Sequence, residues 1–247
     1  MNARIINIKT KDGVVPCQFF TPPRPGPAPA VIFYMDGIGI RPALGNMAAR
    51  LASHGYYVLL PDLYYRSGPT KPFDAASIFV VEGPERDRLM ALFNSLNNKL
   101  VMEDTASFLD YLAGEPAVAG RKIGCVGYCM GGPFALSAAG TFPARICAAA
   151  LLHGASLATG QPDSPHLLAS QMSAGIYVGI AGIDPHFTTA EKERLESALA
   201  SAGTEYKMEV YSGVKHGFAV NDTPCYDWAA SERHWQQILT LFAGKLS

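Results

Sequence analysis

The sequence predicts an α/β protein, built on a mostly parallel eight-stranded sheet with an antiparallel N-terminal hairpin and helices on both faces. Three observations predict it. The β-rich runs 5–8 and 14–20 flank Lys11-Asp12-Gly13, and an Asp-Gly step between such runs marks a hairpin. From Ala30 onward, near-continuous apolar runs alternate with helical patterns, the grammar of a parallel sheet covered on both faces. Finally, Lys122 to Gly132, KIGCVGYCMGG, reads as a strand, a sharp turn and the start of a helix.

Taken in order, the hairpin is followed by Thr21–Pro29, a stiff Pro-rich loop inside one domain that spans 1–247. Strands are predicted at 30–35 and 56–60 around a helix at 43–54 that stops at Gly55. The stretch 64–98, interrupted by Pro69, Pro72, Gly83 and Pro84, is the least regular, and so long an excursion points to function. A helix at 101–112 precedes the central strand, turn and small-residue helix at 123–139. Strands at 146–152 and 176–183 end at His153-Gly154 and Asp184, and a helix at 188–202 carries Thr189 as expected N-cap and Gly203 beyond its end. An eighth strand at 205–211, a loop with His216 and a long helix at 226–246 close the chain.

Composition narrows the partners. The 247 residues, 49% hydrophobic and 17% charged, can bury a sizeable core, and a net charge of −1 offers no attraction for nucleic acid or a charged membrane surface. The N-terminus lacks the apolar segment of a signal peptide, and no run approaches a membrane span. Five cysteines with no CxxC and no framework spacing fit a reducing cytoplasm. Cys17, Cys125 and Cys147 sit in strand-like runs as packing residues. Asp184-Pro185-His186 has no companion ligands at metal spacing, so no metal is expected.

The chemistry centres on Cys129. Glycines two residues either side let the chain turn tightly and leave the central side chain exposed on a strained backbone. The following helix points its N–H groups and positive dipole end at the sulfur, which favours thiolate. In a parallel sheet, functional groups gather beyond the carboxyl ends of the strands, where Cys129, Asp184 and His216 all fall in that order. Nucleophile, acid, histidine is the order of an α/β-hydrolase triad. His216 would exchange the proton, and Asp184 would hold its far ring nitrogen. The oxyanion donors of such a site are the N–H groups of Met130 and Gly37. Asp36, next to Gly37, would oppose ionisation of the thiol or serve as a turn former.

These motifs resemble the dienelactone hydrolase family of α/β-hydrolases over nearly the whole chain: PDLYYR at 61–66, GYCMGG at 127–132, Asp184, and HGFA at 216–219. The resemblance implies a Cys129, Asp184, His216 triad that hydrolyses an ester-like bond without a cofactor, in the type member an enol-lactone. It also implies a glutamate at the position of Asp36 and a carboxylate-holding arginine at Arg88, whereas its expected tyrosine and second arginine are Leu92 and Val220 here. Ile38, Tyr64, Phe79, Leu92 and Phe218 are then the expected apolar contacts of a small ester or lactone, in a cytoplasmic enzyme whose expected state is a monomer. A thioesterase or acyltransferase with the same triad, or a ligand-binding or redox-sensing protein on the same fold, are the alternatives.

Overall fold

The computed structural model describes residues 3–24, 26–78 and 82–246. Its sheet consists of β1 (Ala3–Lys9), β2 (Val14–Phe20), β3 (Ala30–Tyr34), β4 (Tyr57–Pro61), β5 (Ile123–Tyr128), β6 (Ile146–Leu152), β7 (Gly175–Ile183) and β8 (Tyr206–Lys215), in the order β1-β2-β4-β3-β5-β6-β7-β8. The hairpin pairs β1 and β2 antiparallel, and β2 pairs antiparallel with β4. Every pairing from β4 through β8 is parallel. The run-like strands β3, β4 and β5 are buried throughout, whereas the edge strands β1 and β8 are largely open and carry mixed polar sequence.

Six helices surround the sheet: α1 (Pro42–Ser53), α2 (Pro84–Asn94), α3 (Asn98–Gly114), α4 (Gly131–Thr141), α5 (Thr189–Ser201) and α6 (Trp228–Lys245) among the described residues. Successive strand residues face opposite sides. Cys125 lies against the Ala135 carbonyl of α4, and a side chain at Gly124 would meet Phe242 of α6, so these two helices cover opposite faces. Arg50 links α1 to α6 through Glu232 and the Trp235 ring, and α3 packs beside α4.

The helix ends follow side-chain chemistry. Asn97 caps α3 by accepting the Leu100 N–H, and Asp227 caps α6 by accepting the Ala230 N–H. At α5 the cap is Thr188 rather than Thr189, because Glu191 stands three residues beyond Thr188 and completes a reciprocal capping box. The irregular stretch holds an unforeseen helix, α2, entered at Pro84 and acidic in its first turn. β8 runs on to Lys215, so His216 follows the strand directly.

Candidate active site

β5 ends at Tyr128 and α4 begins at Gly131, with Cys129 between them at φ 52°. A left-handed non-glycine residue costs about 1–3 kcal/mol and persists only where its surroundings hold it. The Cys129 N–H donates to the Leu152 carbonyl at 3.0 Å, and the Cys129 carbonyl accepts from the Gly132 N–H at 3.0 Å. A Cβ at Gly127 would fall 1.9 Å from the Gly131 carbonyl oxygen, and one at Gly131 would fall 2.5 Å from the Tyr34 carbonyl oxygen. Both glycines are therefore required by close backbone approach, and the elbow leaves the Cys129 side chain half-buried.

His216, directly after β8, donates from Nδ1 to Asp184 Oδ2 at 2.8 Å, and the Cys129 sulfur lies near enough to its ring to raise the imidazole pKa. The structure thus brings the three expected residues together. The Asp184 side chain is 1% exposed and that of His216 20%. Burial pushes the His216 pKa down, but the charge on Cys129, the hydrogen bonds to Asp184 and Cys129, and the charge on Asp184 outweigh it and raise it to about 10. The arrangement sets the imidazole between a half-buried sulfur and a buried carboxylate.

The loop after β3 faces this pair. Gly37 lies against Met130, 4.0 Å from a built Cβ to the Met130 Cβ. The next peptide is pinned from both sides: the Gly37 carbonyl accepts from the Tyr64 hydroxyl at 2.7 Å and the Ile38 N–H donates to Asp36 Oδ1 at 3.0 Å. The Gly37 and Met130 N–H groups meet no acceptor among the described residues, which leaves both available to a bound oxygen.

Of the two expectations for Asp36, the geometry fits the turn former. It is buried, and both carboxylate oxygens accept from Arg41, at 2.7 and 2.9 Å. Its charge is balanced within the loop, so it acts there as a loop former and ion-pair partner rather than as an isolated charge facing the thiol.

The expected substrate contacts divide. Ile38 and Tyr64 line a cleft of about 490 Å³ with Gly39, Ile40, Tyr65 and Phe73, beside the loop after β3, and Cys129 is not among its lining residues. Phe218 is fully buried among Tyr211, His153 and His234, because its loop folds inward beneath His216; it is a packing residue. Leu92 is buried on α2. Arg88 spends its guanidinium on Glu85 at 2.8 Å, on the Lys71 carbonyl at 3.1 Å and on the Phe73 ring at 3.8 Å. Phe79 lies outside the described residues.

Other neighbours of the site carried no motif. His153, at φ 37° after β6, stacks edge-on against the His216 ring at 5.0 Å, and His186 does the same at 5.1 Å. Their one signal is position, at carboxyl ends of strands. Burial, aided by the nearby imidazoles His216 and His234, pushes the His153 pKa well down, so it is neutral. Phe93 of α2 leans over Gly37, 3.2 Å from a built Cβ. Arg41 looks like an ordinary residue before a helix-starting proline.

The dienelactone hydrolase family profile matches residues 15–246. The chain is similar to the carboxymethylenebutenolidase of Rhodococcus opacus, 28% identical over 221 residues that cover 88% of this chain and 81% of that one. Its fold is similar to that of a dienelactone hydrolase-like promiscuous phosphotriesterase from metagenomic libraries (TM-score 0.81, 21% identity, covering 100% and 99% of the two chains). It is also similar in fold to a dienelactone hydrolase of Anabaena variabilis (TM-score 0.71, 18% identity, covering 100% and 99%). With the elbow, the sheet order and a family match over nearly its whole length, the chain belongs to the dienelactone hydrolase family of carboxylic ester hydrolases.

Proposed function

We propose that this protein hydrolyses neutral esters or lactones by thiol catalysis through an acyl-cysteine intermediate, with Cys129, His216 and Asp184 as its triad. The observation that carries the reading is the alignment of three groups: a sulfur on a strained elbow, an imidazole beside it whose pKa it raises, and a buried carboxylate 2.8 Å from the ring Nδ1. The thiolate attacks the carbonyl carbon, and the oxygen gains its negative charge facing the N–H groups of Gly37 and Met130. The C–O bond to the leaving group breaks as His216 gives its Nε2 proton to the departing oxygen. Water then attacks the thioester, its proton passes to His216, the C–S bond breaks, and the carboxylic acid leaves with the thiolate restored.

Neutral substrates are favoured because the buried Arg41 is fully engaged and Arg88 is paired with Glu85. All five N–H donors of Arg41 go to Asp36, Asp222 and the Gly39 carbonyl, whereas Arg88 is held by Nη2 alone, to Glu85 and the Lys71 carbonyl, with its guanidinium over the Phe73 ring. Leu92 and Val220 are buried apolar side chains. No cofactor enters any step. The reading includes a monomer in a reducing cytoplasm, which keeps the thiol in its nucleophilic oxidation state.

The test is a panel of lactones and aryl esters, neutral and carboxylated, against wild type and Cys129→Ala, with intact-mass analysis of quenched reactions. Turnover of neutral substrates and an acyl adduct on Cys129, both lost in the variant, are expected. Turnover retained by Cys129→Ala would overturn thiol catalysis, and strong selectivity for a carboxylated lactone would overturn the neutral-substrate reading. Alcohols or thiols outcompeting water would reassign the protein as an acyltransferase. Stoichiometric Cys129 oxidation without turnover would reassign it as a redox sensor.

A further inference from the structure

The geometry points to Arg41 as a positioning residue for the reaction, one that locks the oxyanion loop to the loop carrying His216 by bridging Asp36 and Asp222. Arg41 Nη1 and Nη2 donate to the two oxygens of Asp36 at 2.7 and 2.9 Å, while Nε and Nη2 donate to the two oxygens of Asp222 at 2.7 and 3.0 Å. The remaining Nη1–H donates to the Gly39 carbonyl at 3.1 Å. A guanidinium has five N–H donors in a rigid plane, and here every one is used. The side chains of Arg41 and Asp36 are 4% and 5% exposed, and that of Asp222 is 34% exposed.

What makes the bridge more than an internal ion pair is what lies at its ends. Asp36 immediately precedes Gly37, and its Oδ1 also accepts the Ile38 N–H, so the carboxylate that Arg41 fixes is the one that shapes the oxyanion turn. Asp222 stands six residues beyond His216, in a loop tied to itself by Thr223, whose hydroxyl donates to the carbonyls of Gly217 and Val220 at 2.9 and 3.0 Å. The same loop is tied back by the Asp227 N–H, which donates to the Phe218 carbonyl at 3.0 Å. Arg41 therefore spans the two loops that must hold station around one substrate carbonyl, the first giving an oxyanion donor and the second the imidazole. Catalytic groups out of place by about 1 Å can cost about a hundredfold in rate. Lysine carries the same charge but lacks the planar fork, so it cannot make both paired contacts at once.

The inference rests on the thiol-hydrolase reading, and the experiment separates the two. Stopped-flow acylation of Cys129 by p-nitrophenyl acetate uses the oxyanion hole, whereas its alkylation by iodoacetamide does not. Both rates are measured in wild type, Arg41→Lys, Asp222→Asn and Asp222→Glu, together with kcat and KM. Asp222→Asn preserves the buried Asp36–Arg41 pair and keeps the test decisive if Arg41→Lys fails to fold. Acylation and kcat are expected to fall about tenfold in Arg41→Lys and Asp222→Asn, with alkylation and KM within about twofold of wild type. Asp222→Glu is expected to recover most of the loss. An unchanged ratio of acylation to alkylation, or an equal fall in both, would overturn the positioning role. A wild type that alkylates but never acylates would overturn the thiol-hydrolase reading and the inference with it.

Discussion

His216 Nδ1 stands 2.8 Å from Asp184 Oδ2, and the other oxygen of that carboxylate accepts the His186 N–H at 2.9 Å. Asp184 is thus fixed by its own turn while it orients the imidazole. Asp184→Asn should leave the fold intact but present an amide that no longer fixes the tautomer. The expected loss in kcat is up to about 10⁴-fold, with unchanged circular dichroism. Near-wild-type turnover would show that the imidazole is oriented by something else.

The raised His216 pKa has a definite sign. Because the folded value of about 10 exceeds the ordinary 6.5, the imidazolium contributes stability that is fully present below about pH 6.5 and is lost as pH rises through about 10. After opposing burial, the first cause of the rise is the charge on Cys129. NMR titration of the His216 ring should therefore show a clear downward shift in Cys129→Ser. An unchanged titration in that variant would refute the ion pair.

Acid should destabilise the protein through different histidines. Burial, with Arg50 second, pushes the His234 pKa down to about 3, and burial likewise lowers that of His153. Both are neutral in the fold and take up a proton on unfolding, so stability is full above about pH 6.5 and declines steadily as pH falls toward about 3. Urea denaturation midpoints between pH 7 and 4 should fall accordingly, and less so in His234→Gln.

Among the cysteines, Cys129 should label first with iodoacetamide. Cys17 and Cys125 are buried, and burial pushes both thiols up; Cys147 is also raised by burial. The elbow and helix N-terminus favour attack at Cys129. Peptide mapping that found Cys225 modified before Cys129 would contradict this.

Arg88→Ala should reduce kcat/KM for neutral and carboxylated substrates alike, by less than about tenfold. Arg88 braces the Lys71–Phe73 stretch against α2, and Phe73 lines the cleft beside Ile38 and Tyr64. An exposed pair with Glu85 adds little to stability. A loss confined to carboxylated substrates would instead make Arg88 an anion anchor.

The amino-acid sequence by itself determined the order and type of nearly every element, because strand and helix periods, the Asp-Gly turn and the glycine-flanked elbow are local signals. It also marked Cys129, Asp184 and His216, since strand-end position is enough to bring such residues to one edge of a parallel sheet. It placed the α5 cap one residue late, at Thr189, where the reciprocal bond with Glu191 selects Thr188. It missed α2 because the prolines and glycines around that stretch masked a weak helical pattern. Only the tertiary structure decided that Phe218 is core, that Arg88 braces a loop, and that Asp36 is bound to Arg41. Arg41 and Asp222 are 181 residues apart, and no local pattern encodes which carboxylate a buried guanidinium will meet. Desolvation forces every such charge to find a partner, but the folded topology chooses the partner.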